Sequence, residues 1–442
     1  MDFHGITIMG LGPGDVNLLT LQAWRLLESI PEIYVRTRQL PVVEALPESL
    51  AVYSFDDLYE KSETFDAVYT AIVSKIIELG RRPEGVIYAV PGHPFVAEAT
   101  SPEIIRRAQQ EGIPVRVIEG LSFLEPAFTA LGIDPLPGTT ILDAMELASA
   151  HVPPFPPDRP AIIAQIHSKA IAAEVKLTLM EIYPDKHPVQ FVHAAGTPEV
   201  VVEILSLYEI DRSDKIGLLT ALYLPPLNPG TSFEDFQEII AHLRAPDGCP
   251  WDKEQTHQSL RPHLLEETYE VLNAIDRGDP AAMSEEFGDL LLQIVLHAQI
   301  ASEEGEYRMT DVIQGIFEKI VRRHPHVFSD VQIKDAQGVI QNWERLKETE
   351  RNEKGKTESG LMESVPLALP ALVQAQTYQE RAARVGFDWQ EIQGVYAKLN
   401  EEMEEVRSAQ DDQSRAAEIG DLLFAVVNLA RWSGVDAESV LR

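Results

Sequence analysis

Residues 265–298 read LEETYEVLNAIDRGDPAAMSEEFGDLLLQIVLHA, and residues 400–430 read NEEMEEVRSAQDDQSRAAEIGDLLFAVVNLA. Each stretch is an acidic helical pattern, a short polar connection and an apolar helix entered through Gly-Asp-Leu-Leu. The copies lie roughly 132 to 135 residues apart, which marks a duplicated helical hairpin and not a solenoid. In the first copy Glu266, Glu267 and Glu270 form EExxE, and Glu286 and Asp289 follow as ExxD. In the second, Glu401, Glu402 and Glu405 are followed by Glu418 and Asp421. Helix positions three and four apart share a face, so each set projects together, and a short connection makes the two helices antiparallel neighbours. Four or five carboxylates then converge across one hairpin.

An isolated EExxE is most often a solvated face. Here the pattern recurs with the same companion ExxD, and each ExxD leads into an apolar run, residues 290–296 and 422–427. Each copy also has a nearby Trp-Asp or Asp-Trp pair, Trp251-Asp252 and Asp388-Trp389. Like charges at this spacing repel unless a cation joins them. Mg²⁺ takes oxygen ligands from carboxylates, water and phosphates, and Mn²⁺ is the alternative ion. The expected chemistry is metal-assisted hydrolysis of a phosphoanhydride. Lys319, Arg322 and Arg323 at helical spacing read as a phosphate grip, and Arg381 and Arg384 as its equivalent in the second copy. Trp251 and Trp389 are candidates to stack a base, with Lys253 beside the first.

Outward from the hairpins the chain changes character near residue 225. Before it, short apolar runs at 5–9, 85–90, 115–118, 161–165 and 189–193 read as strands. Segments 18–29, 65–79, 102–110, 170–182 and 197–208 read as helices. The alternation predicts a two-lobed α/β domain with a largely parallel sheet. The proline-rich residues 151–159 read as a hinge between the lobes. The expected modules are 1–224 (α/β), 225–346 (first helical repeat), a polar linker at 347–360, and 361–442 (second helical repeat).

The chain has 442 residues, too many for one ordinary core, and a net charge of −33 that repels phosphate backbones and acidic membranes. Binding to nucleic-acid polymers or membrane surfaces is therefore not expected. The single cysteine, Cys249, and the lack of a signal-like start or a spanning apolar run lead to the expectation of a cytoplasmic protein.

Two resemblances sharpen these expectations. The runs GCPWDKEQTHQSLRPHLLEETYEVLNAI, EEFGDLLLQIVLHAQ and EKIVRRHPHVF, with RAARVGFDW, EEMEEV and EIGDLLFAVVNLAR, resemble the MazG family of nucleoside triphosphate pyrophosphohydrolases over roughly residues 232–442. That resemblance implies an all-α fold, a homodimer, Mg²⁺ dependence and release of pyrophosphate from several nucleoside triphosphates. It makes Glu266, Glu267, Glu270, Glu286, Asp289, Glu401, Glu402, Glu405, Glu418 and Asp421 metal ligands. Glu267, Glu270, Glu402 and Glu405 are its catalytic candidates. Tandem members continue past the second apolar helix into a basic helix, and this sequence stops at Arg442. The first copy is therefore expected to hold the more complete site, unless the second borrows groups from a partner subunit.

The runs GITIMGLGPGDVNLLTLQAWRLL, IYAVPGHPFVAEAT and VRVIEGLSFLEPAFTALGIDP resemble the tetrapyrrole (corrin/porphyrin) methylase family over roughly residues 1–224. This implies S-adenosylmethionine in a cleft lined by Gly10, Gly12, Gly14, Asp15, Pro91, Gly92, His93 and Ser122, with an unnamed methyl acceptor. The glycines of a strand-to-helix turn are expected to let a ligand approach the backbone. The competing reading is a small-molecule methyltransferase whose helical half senses nucleotides without hydrolysing them.

Overall fold

In the computed structural model the described residues are 4–442 except 62–63, 137, 330, 332, 334, 336–337, 340–341, 344, 347–361 and 364. The polar linker expected at 347–360 lies outside them. The chain forms two compact units, Met1–Glu304 and Gly305–Arg442.

In the first unit, β1 (Ile6–Gly10), β2 (Glu32–Val35), β3 (Ala51–Ser54), β4 (Val86–Val90) and β5 (Val115–Ile118) make a parallel sheet ordered β3-β2-β4-β1-β5. Every residue of β1 is buried, as expected of a central strand covered on both faces. Ile6, Ile8 and Tyr88 pack under α1 (Phe65–Gly80) and α2 (Thr100–Gln110), against Ile72, Ile76 and Ile104. Met9, Leu11, Ile33 and Val35 form the core on the other face.

A second sheet holds β6 (Thr140–Asp143), β7 (Ala161–Ala164), β8 (Pro188–His193), β9 (Val201–Ser206) and β10 (Thr220–Leu224), ordered β6-β7-β10-β8-β9. Its core is Ile163, Phe191 and Leu222 against Val175 and Leu179 of α3 (Lys169–Met180).

This lobe departs from the sequence reading in three ways. Only β6–β7 is parallel, and β7–β10, β10–β8 and β8–β9 are antiparallel. The link from β8 to β9 is too short for a crossover helix, so the strand must return antiparallel. The helix expected at 197–208 is strand β9 followed by a 3₁₀ turn, Leu207–Arg212. Its Val200-Val201-Val202 run is β-branched and pairs along β8 from His193 opposite Val201 to Pro188 opposite Ser206.

Residues 151–159 are not a hinge between lobes, because the passage between sheets falls at 119–139. The proline-rich stretch is instead a seat for the chain leaving β10. Leu227 N donates to Pro157 O at 2.8 Å, Ser232 Oγ to Asp158 Oδ2 at 2.5 Å, and Arg159 pairs with Asp235 at 3.2 Å.

From this seat starts α4 (Phe233–Arg244), whose N-cap Ser232 accepts from Asp235 N. It packs through Ile240 onto Leu260, Val295, Leu296 and Ile300 of the first hairpin, α5 (His257–Arg277) and α6 (Pro280–Glu304). The α5 helix opens on a Thr256–Ser259 capping box and stops at Gly278. The second unit holds α7 (Met309–Arg323), α8 (Ala371–Arg384), α9 (Ile392–Ser408) and α10 (Asp412–Trp432). The α9–α10 pair repeats the α5–α6 hairpin, with Asp411 capping α10.

Candidate active site

The α5–α6 hairpin brings oxygens of Glu267, Glu270 and Glu286 within 4.8 Å of one another, and α9–α10 does the same with Glu402, Glu405 and Glu418. These triplets are the same positions of the duplicated unit. In the first cluster, burial holds the Glu267 carboxyl above its ordinary range, and Asp289, Glu270 and Glu266 push it the same way. Glu286 is raised by partial burial and then by Glu270, Glu285 and Asp289. In the second, Glu405 is raised by burial, then by Glu402 and Glu418. Glu402 is only 4% exposed. Its Oε1 accepts from Lys398 at 2.7 Å, while its buried Oε2 has no hydrogen-bond partner among the described residues.

Of the remaining acids, Glu266 faces His263 at 3.8 Å, Glu401 accepts from Lys398 at 2.8 Å, and Asp421 is exposed on α10. An all-oxygen donor set with an orphaned buried carboxylate oxygen fits a hard divalent cation.

The other sequence candidates scatter. Trp251 is 57% exposed, on a short helix and edge-on to His263 at 6.5 Å. Lys253 is tied to its own loop through Pro246 O at 2.8 Å. Lys319, Arg322 and Arg323 lie on α7 of the second unit, with Arg323 5.5 Å from the Trp343 ring. Arg381 and Arg384 sit in the last turn of α8.

Trp389 lines a cleft of about 510 Å³ with Tyr378, Gln379, Phe387, Phe424, Asn428 and Arg431, and Arg381 and Arg384 are not part of that lining. Asp388 anchors the cleft. It accepts from Arg431 at 2.6 and 3.0 Å and from Trp432 Nε1 at 3.1 Å, and Arg431 holds its carboxyl below the ordinary range. Sequence reasoning missed Lys398, Asn428 and Arg431. The signal for Lys398 was its place four residues before Glu402 on one helix. The other two repeat the apolar-helix face about two and three turns beyond Asp421.

In the α/β domain the expected loop is built, and its glycines let neighbouring backbone segments approach closely. A Cβ on Gly10 would stand 2.5 Å from Gly92 O and 2.8 Å from the Gly120 backbone. Gly12 and Gly92 exchange backbone hydrogen bonds, and Gly14 faces Thr197 across space too small for a Cβ. Asp15 caps Asn17 N, and its own N–H reaches Gly196 O at 2.8 Å. A side chain at Gly10 or Gly14 would thus collide with neighbouring loops, which hold the end of β1 to the end of β4 and to the second lobe.

Pro91 and Gly92 continue from β4 into the turn, where His93 Nδ1 accepts from Phe95 N at 3.1 Å. Ser122 is buried, with both its N–H and Oγ on Glu125. A polar network not foreseen lies past the ends of β2 and β4. Arg36 pairs with buried Glu98, whose Oε1 accepts from Thr100 N at 2.9 Å, and Thr100 Oγ1 meets Tyr88 Oη at 2.9 Å. Ligands of open α/β sheets gather at these strand ends.

Comparison with known proteins places both halves. The family model described as MazG nucleotide pyrophosphohydrolase domain matches residues 255–328, and that of Tetrapyrrole (Corrin/Porphyrin) Methylases matches residues 5–211. The chain is 45% identical over 445 residues to "Uncharacterized protein YabN" of Bacillus subtilis (strain 168), covering 99% of this chain and 90% of that one. It is 47% identical over 214 residues to "Nucleoside triphosphate pyrophosphohydrolase/pyrophosphatase MazG" of Thermotoga maritima, covering 48% of this chain and 81% of that one. Among solved structures, a uroporphyrin-III-C-methyltransferase of Thermus thermophilus is 20% identical, covering 51% of this chain and 93% of that one at a TM-score of 0.39. The Thermotoga maritima relative and the two family-model matches show that the chain belongs to the MazG family of nucleotide pyrophosphohydrolases, with a tetrapyrrole-methylase domain preceding its helical half.

Proposed function

We propose that the chain hydrolyses nucleoside triphosphates to nucleoside monophosphate and pyrophosphate, using Mg²⁺ or Mn²⁺ bound by its acidic hairpins. The observation that carries this reading is the recurrence of one three-carboxylate geometry in both hairpins, at Glu267, Glu270 and Glu286 and at Glu402, Glu405 and Glu418. Glu266, Asp289, Glu401 and Asp421 complete the two acidic sets. A bound divalent cation supplies positive charge to the phosphoanhydride oxygens. The chain's own groups do the rest. Glu267 and Glu270, or Glu402 and Glu405, accept the proton of the attacking water, and a raised carboxyl suits that role.

Asp421, Phe424 and Asn428 follow one face of α10 at steps of three and four, so the aromatic cleft lies roughly 10 Å along the helix from the acids. That suits a nucleoside in the cleft beside Trp389 with its phosphates toward the carboxylates. Lys319, Arg322, Arg323, Arg381 and Arg384 are phosphate-grip candidates, and Trp251 and Lys253 peripheral substrate contacts. Exposed Ile313, Ile316, Phe317 and Ile320 on α7 and Leu423 and Val426 on α10 are apolar faces suited to a homodimer. We assign modules at 1–224, 225–346 and 361–442, a cytoplasmic setting, and S-adenosylmethionine as ligand of the first module, supported by the methylase match over residues 5–211.

The test is pyrophosphate release from a panel of ribo- and deoxyribonucleoside triphosphates, with Mg²⁺ and with EDTA. Wild type is compared with Glu267→Gln, Glu402→Gln and the double variant. Metal-dependent release that disappears in the double variant is the expected result. Release unaffected by EDTA, or retained in the double variant, would sink the proposal.

A further inference from the structure

The two carboxylate clusters share a geometry but differ in counter-charge. On α9, Lys398 stands one turn before Glu402, and its ammonium donates to Glu402 Oε1 at 2.7 Å and to Glu401 Oε1 at 2.8 Å. The same position of α5, four residues before Glu267, is His263. That ring reaches Glu266 at 3.8 Å and lies 6.5 Å from the Trp251 ring. Among the described residues, the charged groups acting most on Glu267 and Glu286 are carboxylates. The first cluster is therefore a bare set of acids, whereas the second already holds one cation on a tether.

We propose that Lys398 is a built-in counter-cation that competes with a divalent ion for Glu402, so that the second repeat loads metal at a higher concentration than the first. This rests on the metal-dependent reading above. The buried carboxylate of Glu402 is divided between two tasks. Its Oε1 is taken by the ammonium, and its buried Oε2 has no partner among the described residues.

A divalent ion arriving at Glu402, Glu405 and Glu418 meets one positive charge already in place and must repel or displace it. Displacement is open to this lysine, because its side chain is 39% exposed and its four-carbon stem can carry the head into water. No such exchange precedes binding at Glu267, Glu270 and Glu286. The lysine also keeps the acids of the second hairpin compensated while no metal is bound, a protection the first hairpin lacks.

The test uses Mn²⁺ alone as probe, without nucleotide, on the full chain, with free Mn²⁺ read by electron paramagnetic resonance. Wild type is compared with Lys398→Met, which keeps the aliphatic stem, Lys398→Gln as a second neutral variant in case the first misfolds, Lys398→Arg, and Glu286→Gln. Wild type is expected to show two classes of site separated by about tenfold. The neutral variants should tighten the weaker class by about tenfold and Lys398→Arg should leave it weak. Glu286→Gln should remove the tighter class. A weaker class that is unmoved or loosened by both neutral variants overturns the inference, as does loss of the weaker class in Glu286→Gln. Mn²⁺ binding with no lysine effect leaves the hydrolase reading standing, whereas no Mn²⁺ binding in any variant overturns that reading and this one together.

Discussion

Replacing Glu267 by Gln should move stability in opposite directions with and without metal. In the metal-free protein, Glu267 stands among Glu266, Glu270 and Asp289, and its carboxyl is raised by burial and by these neighbours. A raised acid binds its proton more tightly in the folded state. Its stabilising contribution is thus fully present below the unfolded pKa and lost as pH rises through the folded value. At neutral pH the cluster is a liability. Each like-charge neighbour costs about 0.2–0.5 kcal/mol on a helix surface, and solvent screens part of it. Glu267→Gln should therefore stabilise the metal-free protein by about 0.5–1 kcal/mol at pH 7.5, and by nothing near pH 4. With metal the sign reverses. An ion at a hundred times its dissociation constant stabilises wild type by about 2.7 kcal/mol, and the variant should lose most of that gain. Differential scanning calorimetry in EDTA and in Mg²⁺ at both pH values reads all four cells. A variant less stable than wild type in EDTA at pH 7.5, or one that keeps the full Mg²⁺ shift, would refute the reasoning.

Other expectations follow from single contacts. Asp388→Asn removes the charge that grips Arg431 and should raise the KM for nucleotide several-fold with a smaller change in kcat, measured by steady-state pyrophosphate release. Because Arg431 depresses the Asp388 carboxyl, its stability is present above the unfolded pKa and lost as pH falls through the folded one. Acid unfolding of the variant should accordingly be shallower. Arg36→Met leaves buried Glu98 without its ion-pair partner and should cost about 3 kcal/mol in urea denaturation of the first unit, whereas the exposed ion pair broken by Lys61→Met should cost under about 0.5 kcal/mol. Leu205→Pro removes a donor from the β8–β9 ladder, where Leu205 faces Val189 two residues before the bond from Leu207 N to His187 O, and should cost about 3 kcal/mol. A helix at this segment would instead predict a kink and helix loss by circular dichroism.

The acidic hairpins were legible because their information is local. Spacing on one helix places Glu267 with Glu270, and a two-residue connection folds Glu286 back beside them. Central strands β1 and β4 were equally plain, being runs of apolar residues buried on both faces. Strand β9 was misread because Val200–Ser206 has an apolar pattern compatible with either period, and only pairing with β8 decides it. The proline-rich 151–159 forms neither helix nor strand, yet it is not the expected hinge. Its partner lies some 70 residues downstream, so spacing could not reveal that it seats Leu227 and Ser232. The glycines of 10–14 were recognised as needing close approach, but what approaches Gly10 is the backbone of Gly92 and Gly120, two segments remote in sequence. Lys398 was overlooked because a lysine four residues before a glutamate is commonplace on helices. Its meaning comes from the burial of Glu402.

The Ser232 hydroxyl serves both halves of the protein at once. It receives the amide of Asp235 as the cap of α4 and gives its proton to the carboxylate of Asp158 in the methylase domain. Residues 1–224 and the helical half therefore cannot be parted at residue 225 as two independent pieces. The first piece would keep a buried Asp158 with its hydroxyl removed, and the second would begin with an α4 whose capping serine has lost its anchor. The join is a shared structural element, and a helical half cut free of the first domain would lose the anchor of its first turn.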